Sequence, residues 1–207
     1  GYMATGWCHP LERWVELFRR WIDLPEPEAL LEASIFFDFR RVAGDLDLNP
    51  LEEVMAIAAD RPRFLAHLAA VGLELRPPLG LFSRIVADDE GIDLKQQGLA
   101  PIVALARHFA LQVGSRERST VARLQAAGQA GALPPEGSEA LAEAFRYLGR
   151  LRLERQVRDV AAGDPPGNRV ALDRLSSIQR RHLKEAFVAV RHVQEAVAER
   201  YTTDRLG

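Results

Sequence analysis

Apolar residues recur every three or four positions along most of this chain, the spacing of one face of an α-helix. Leu11, Trp14, Val15, Phe18, Trp21 and Ile22 form the first stripe. His9-Pro10 opens it, with proline suited to the first helical position, and Pro25-Glu26-Pro27 ends it. The pattern predicts a second helix from about Glu28 to Val42, stopping before Gly44, and a third started by Asn49-Pro50. Arg61-Pro62 divides this from a short helix, Phe64 to Val71. Leu75 to Asp93 breaks the rhythm with Pro77, Pro78, Gly80 and Gly91, and reads as an irregular connection with at most a short hairpin. Pro101 starts a helix to about Val113, and Thr120 another that ends near Gly128–Gly131. Two long helices follow, Ser138 to Ala162 and Leu175 to Tyr201, joined by the turn-rich Gly163–Asn168. Long helices joined by short turns predict an all-α fold, an antiparallel helical bundle.

Two of these stripes carry polar residues where a simple bundle would want leucine. Leu141, Ala144, Phe145, Leu148 and Leu151 share a face whose continuation is Arg152 and Arg155, with Gln156 at its edge. Gln194 interrupts the stripe Leu183, Phe187, Val190, Val197, Tyr201. One reading is that the arginines reach the surface and Gln194 bonds the backbone. The other is a polar pocket between helices, with arginine matched to phosphate or carboxylate. An inward arginine also suits an ion pair with Asp38 or Glu154.

The run Ser34-Ile-Phe-Phe-Asp-Phe-Arg-Arg-Val-Ala-Gly-Asp45 places charge inside a strongly apolar stretch. Burying a charge without a partner costs several kcal/mol, so Asp38 and Arg40 are expected to be paired.

At 207 residues the chain has room for one large domain or two small ones. A hydrophobic content of 47% supports a real core, and a net charge of −2 gives no sign of a nucleic-acid binder. The basic residues are nearly all arginine, with lysine only at 95 and 184. The single cysteine, Cys8, excludes an internal disulfide or thiolate metal cluster and fits a reducing cytoplasm. No apolar run approaches the roughly 20 residues of a membrane span, and the N-terminus lacks a signal-peptide layout.

Several constellations fail on inspection. Gly114-Ser115 looks like the phosphate-cradling turn of a nucleotidyltransferase, but no aspartate pair follows to hold magnesium; the next aspartate is Asp159. Asp45-Leu46-Asp47 has the aspartate spacing with no Gly-Ser turn before it, and reads as a helix cap. Asp88-Asp89-Glu90 reads as a solvated acidic loop, and the five histidines show no zinc spacing. No catalytic residue and no metal ligand is assigned.

Taken in order, the segments resemble the C-terminal half of a bacterial nucleotidyltransferase family related to the PII-protein uridylyltransferases. The matching pieces include Gly1-Tyr2-Met3-Ala4 with Trp14, and the Ile35–Asp45 run. They continue through Asp93-Leu94-Lys95 with Gly98, Pro101-Ile102-Val103, Ala106-Arg107, Thr120 with Arg123-Leu124, and Ala144-Phe145. Leu151-Arg152-Leu153 with Gln156, Asn168, Leu175-Ser176, Leu183-Lys184 and Gln194 complete the set.

The resemblance implies that residues 1–58 are the tail of a nucleotidyltransferase domain and 59–207 its helical substrate-binding domain. The catalytic Gly-Ser turn and paired aspartates would lie upstream, often with cyclic-nucleotide-binding and CBS domains, so this piece alone is expected to be inactive. Asp38 is a conceivable third carboxylate, although it reads as helical. The intact protein would transfer a nucleotidyl group from a nucleoside triphosphate, with magnesium, to a nucleotide or protein acceptor. The implied substrate contacts are Lys95, Arg107, Arg123, Arg152 and Gln156, with Asp38 and Arg40 at the domain junction. A different reading also stays open: a regulatory or dimerisation bundle, forming a homodimer through the helix that carries Trp14 and Trp21.

Overall fold

The computed structural model describes residues 6–26, 30 and 36–201. It contains seven α-helices and one two-stranded ribbon among these residues, an all-α bundle. The helices are α1 (Leu11–Asp23), α2 (Asn49–Ile57), α3 (Pro62–Glu74), α4 (Ala100–Gln112), α5 (Thr120–Gln129), α6 (Pro135–Ala162) and α7 (Ser177–Tyr201). Four of them, α2, α3, α4 and α6, carry proline in the first turn, where its missing N–H costs nothing. None is long and apolar enough to cross a membrane.

The predicted second helix ends early. Part of it, residues 28, 29 and 31–35, lies outside the described residues. Phe36 is helical, Phe37 and Asp38 form a turn, and the chain is non-helical from Phe39 to Leu48. The turn lets Phe37 enter an aromatic core, stacked on Phe18 at 5.4 Å and edge-on to Phe64 at 5.9 Å. It also leaves Asp38 on a turn rather than on a helix.

Helix α4 is the central strut. Ile102, Leu105, Ala106, Phe109 and Leu111 are all buried, because other elements surround it on nearly every side. The main core joins α4 to α5, α6 and α7 through Leu124, Leu141, Leu148, Phe187 and Val190. A second core holds Phe18, Trp21, Phe37 and Leu51 against Phe64, Leu65 and Leu68 of α3. Ala69, on the same helix, belongs to the main core, so α3 is shared by both.

Before α4 the chain makes a π-helical segment, Leu94–Leu99. Asp93 caps it, its Oδ1 accepting from the N–H groups of Lys95 and Gln96 at 2.9 Å. A wide turn suits this place because Gly98 sits against Leu148 and Phe187; a Cβ there would lie 3.2 Å from the leucine Cδ1. The ribbon pairs β1 (Ile92–Asp93) antiparallel with β2 (Arg169–Val170), across a long stretch of sequence. The irregular stretch before it has a local bridge, Leu79 to Ile85, with the exposed Leu81 and Phe82 at its tip.

Candidate functional site

The charged run beginning at Phe36 contributes Asp38, whose carboxylate stands between two arginines from different helices. Arg107 of α4 places Nη2 2.5 Å from Oδ2, and Arg123 of α5 places Nη2 2.6 Å from Oδ1. The Arg123 side chain is buried at 8% exposure and that of Arg107 largely so at 13%, while Asp38 retains 37%. Arg123 also donates from Nε to the Glu117 carbonyl at 2.8 Å. Burial raises the Asp38 pKa, but hydrogen bonds and charge from Arg107 and Arg123 outweigh it and hold the group below its ordinary 3.8. Two of the sequence-selected contacts, Arg107 and Arg123, are thus engaged with a carboxylate of this same chain.

Arg152 and Gln156 meet elsewhere, at Asn168 at the end of the turn-rich loop after α6, and the segment that carries Lys95 reaches the same residue through its backbone. The Asn168 side-chain oxygen accepts from Arg152 Nε at 2.6 Å and from Gln156 Nε2 at 3.3 Å. Its backbone oxygen accepts from Leu94 N at 3.0 Å, which brings the N-terminus of the π-helical segment, and Lys95 with it, to the same corner. Helical spacing puts residues 152 and 156 on one face, and the loop returns to that face because Asp159, one turn on, accepts Gly167 N at 3.0 Å. Asp159 is buried and paired with Arg155 at 2.9 Å. Among the described residues, the terminal nitrogens of Arg152 meet no acceptor, and neither does the Lys95 ammonium, which is exposed.

The remaining expectations resolve differently. Arg40 is exposed and has no ion-pair partner among the described residues; the early turn sends residues 40 and 41 into water, where charge needs none. It rims a groove of about 480 Å³ floored by Trp14, Phe36 and Phe39. Arg155 pairs with Asp159 rather than with Asp38 or Glu154. Gln194 is buried and donates to the carbonyls of Leu75, at 2.7 Å, and Gly72, closing the C-terminus of α3. Asp47 caps α2, accepting Asn49 N at 3.0 Å. The acidic loop is tied rather than merely solvated: Arg169 reaches both Asp88 and Glu90. Glu52 is the residue that sequence reasoning missed most completely, since it receives Arg116 and Arg118 together from the loop before α5. Nothing in the local pattern marks it; only the closeness of Arg116 and Arg118 hints at an acid opposite. Among the described residues, no three acidic, histidine or cysteine side chains stand close enough together to hold a metal.

Residues 62–201 match the family model described as "Putative nucleotidyltransferase substrate binding domain". The chain belongs to that family. Neither a curated protein nor a solved structure matches it. The family match opens on the first residue of α3 and closes on the last residue of α7. Both clusters of this substrate-binding domain can be set against that range. Lys95, Arg152, Gln156 and Asn168 lie wholly inside it. Asp38 lies outside it, yet its two partners are inside, so the Asp38 pairings tie the preceding segment to the family domain.

Proposed function

We propose that this chain positions substrate for a uridylyltransferase-like signalling nucleotidyltransferase whose catalytic Gly-Ser turn and paired aspartates lie upstream. The observation that carries the reading is the Asn168 corner, where Arg152 is held through Nε, its two terminal nitrogens meet no acceptor among the described residues, and the backbone of Leu94, next to Lys95, is bonded to Asn168. A guanidinium fixed at one edge and open at the other is suited to a phosphate or carboxylate, because little of its freedom remains to be lost on binding.

In this account the roles divide. Arg152 and Lys95 meet the anionic part of nucleotide or acceptor, while Gln156 and Asn168 hold Arg152 in place. Arg107 and Arg123 act through Asp38, seating the segment that leads to the catalytic domain. Magnesium, which neutralises the triphosphate, would be held by carboxylates of that domain; the corner described here offers cations, not metal ligands. Calorimetric titration with ATP, UTP, CTP and GTP, each with magnesium, tests the assignment. Binding of one nucleotide, lost in Arg152→Ala and weakened in Lys95→Ala, is the expected result. Binding that survives Arg152→Ala removes the corner from the substrate site.

A further inference from the structure

Helix α6 is longer than the bundle needs. Tyr147, near its middle, donates to the carbonyl of Gln179 at 2.7 Å, and Gln179 is only in the first turn of α7. Gly137, near the start of α6, faces Val193, well along α7. The two helices are therefore antiparallel, and α7 begins opposite the middle of α6. From about Gly149 onward α6 projects past α7 by about 20 Å at 1.5 Å per residue. The returning loop covers one side of this arm, through Arg152, Gln156 and Asp159. The adjacent side is bare. Leu153, Val157 and Val160 are 60%, 60% and 63% exposed.

Their spacing is four then three, and stepping back three residues from Leu153 reaches Arg150. This is the alternation of a two-helix seam. Folding alone gives no reason to place three large aliphatic residues in water on one stripe. The charges at its ends supply the occupant. Arg150 at one end and Asp164 at the other are exposed and have no ion-pair partner among the described residues. A two-fold axis near Val157 lays a second α6 antiparallel on the first. It sets Leu153 against the partner's Val160, and brings Arg150 to the end where the partner's Asp164 stands. A parallel pairing would instead put like charges side by side.

We infer that the exposed Leu153–Val157–Val160 stripe of α6 is a self-association face, on which two copies of this chain pair antiparallel with Arg150 meeting Asp164. The contact is short, so the dimer is weak. The inference stands apart from the nucleotide reading, since it uses a different side of the helix.

Sedimentation equilibrium of the chain across concentrations up to about 1 mM tests it. A reversible monomer–dimer equilibrium is expected, abolished by Val157→Glu at an exposed site where helix content, read by circular dichroism, stays unchanged. Arg150→Asp alone weakens the dimer about tenfold, because two symmetric ion pairs are lost together. Combining it with Asp164→Arg restores the original association. A monomer at every concentration overturns the inference. So does a dimer indifferent to Val157→Glu, or one that the charge reversal fails to rescue.

Discussion

Arg107 and Asp38 are 69 positions apart in sequence and meet at 2.5 Å. With Arg123 on the other carboxylate oxygen, the pair fixes where the early segment sits on the bundle. Both arginines are largely buried, so removing the acid would strand two cations in low dielectric. Asp38→Asn should therefore destabilise the fold by about 2 kcal/mol, discounted for the exposure that Asp38 itself retains. Chemical denaturation of the two proteins at neutral pH measures this.

The same carboxylate gives an acid signature. Its folded pKa is held below 3.8, so the stabilisation it contributes is complete above that value and is lost as pH falls through the lower folded value. Asp38→Asn should lack this part of the acid sensitivity. The difference in stability between wild type and variant should then shrink as pH drops below about 4, which denaturation curves at several acidic pH values would show.

His108 provides a second, separate pH effect. The ring is buried, edge-on to Tyr201 at 5.1 Å and to Phe109 at 5.2 Å, and neither ring nitrogen has a hydrogen-bond partner. Burial first, and the charge of Arg200 second, lower its pKa from 6.5 to about 4. The unfolded chain takes up the proton first, so stability falls as pH drops from about 6.5 to about 4 and then levels off. The full effect is on the order of 3 kcal/mol. His108→Leu should flatten the profile in that window and cost little at neutral pH, because it removes two unsatisfied polar atoms.

Gly91 is held by geometry rather than by propensity. Its φ is +95°, and a Cβ there would come within 2.4 Å of the Val170 carbonyl oxygen on the partner strand. Gly91→Ala should destabilise the chain by about 2 kcal/mol or more through strain and clash together. Thermal unfolding checks it, with Gly149→Ala as the reference, since nothing lies near a Cβ at that position.

The helices were legible because apolar spacing at 3.6 residues per turn is local information. α4, α5, α6 and α7 fall within a few residues of their sequence-derived limits. The predicted second helix ends earlier than its pattern suggests, because the aromatic run looks helical but long-range contacts of Phe37 and Asp38 impose a turn. The polar residues on the α6 face were visible in sequence; their partner, Asn168, was not, because a loop returning from a helix end leaves no periodic trace. For the same reason the sequence grouped Arg107, Arg123 and Arg152 as one set. Only the fold separates the two that meet Asp38 from the one left open at Asn168.

The division of labour among these arginines is tested most directly by thermal unfolding with each of four nucleoside triphosphates and magnesium, run on wild type, Arg152→Ala and Asp38→Asn. A ligand at ten times its dissociation constant should raise the wild-type midpoint by about 3 °C. The account predicts that Asp38→Asn melts lower yet keeps the nucleotide shift, whereas Arg152→Ala loses the shift. A shift retained in Arg152→Ala and lost in Asp38→Asn would contradict it.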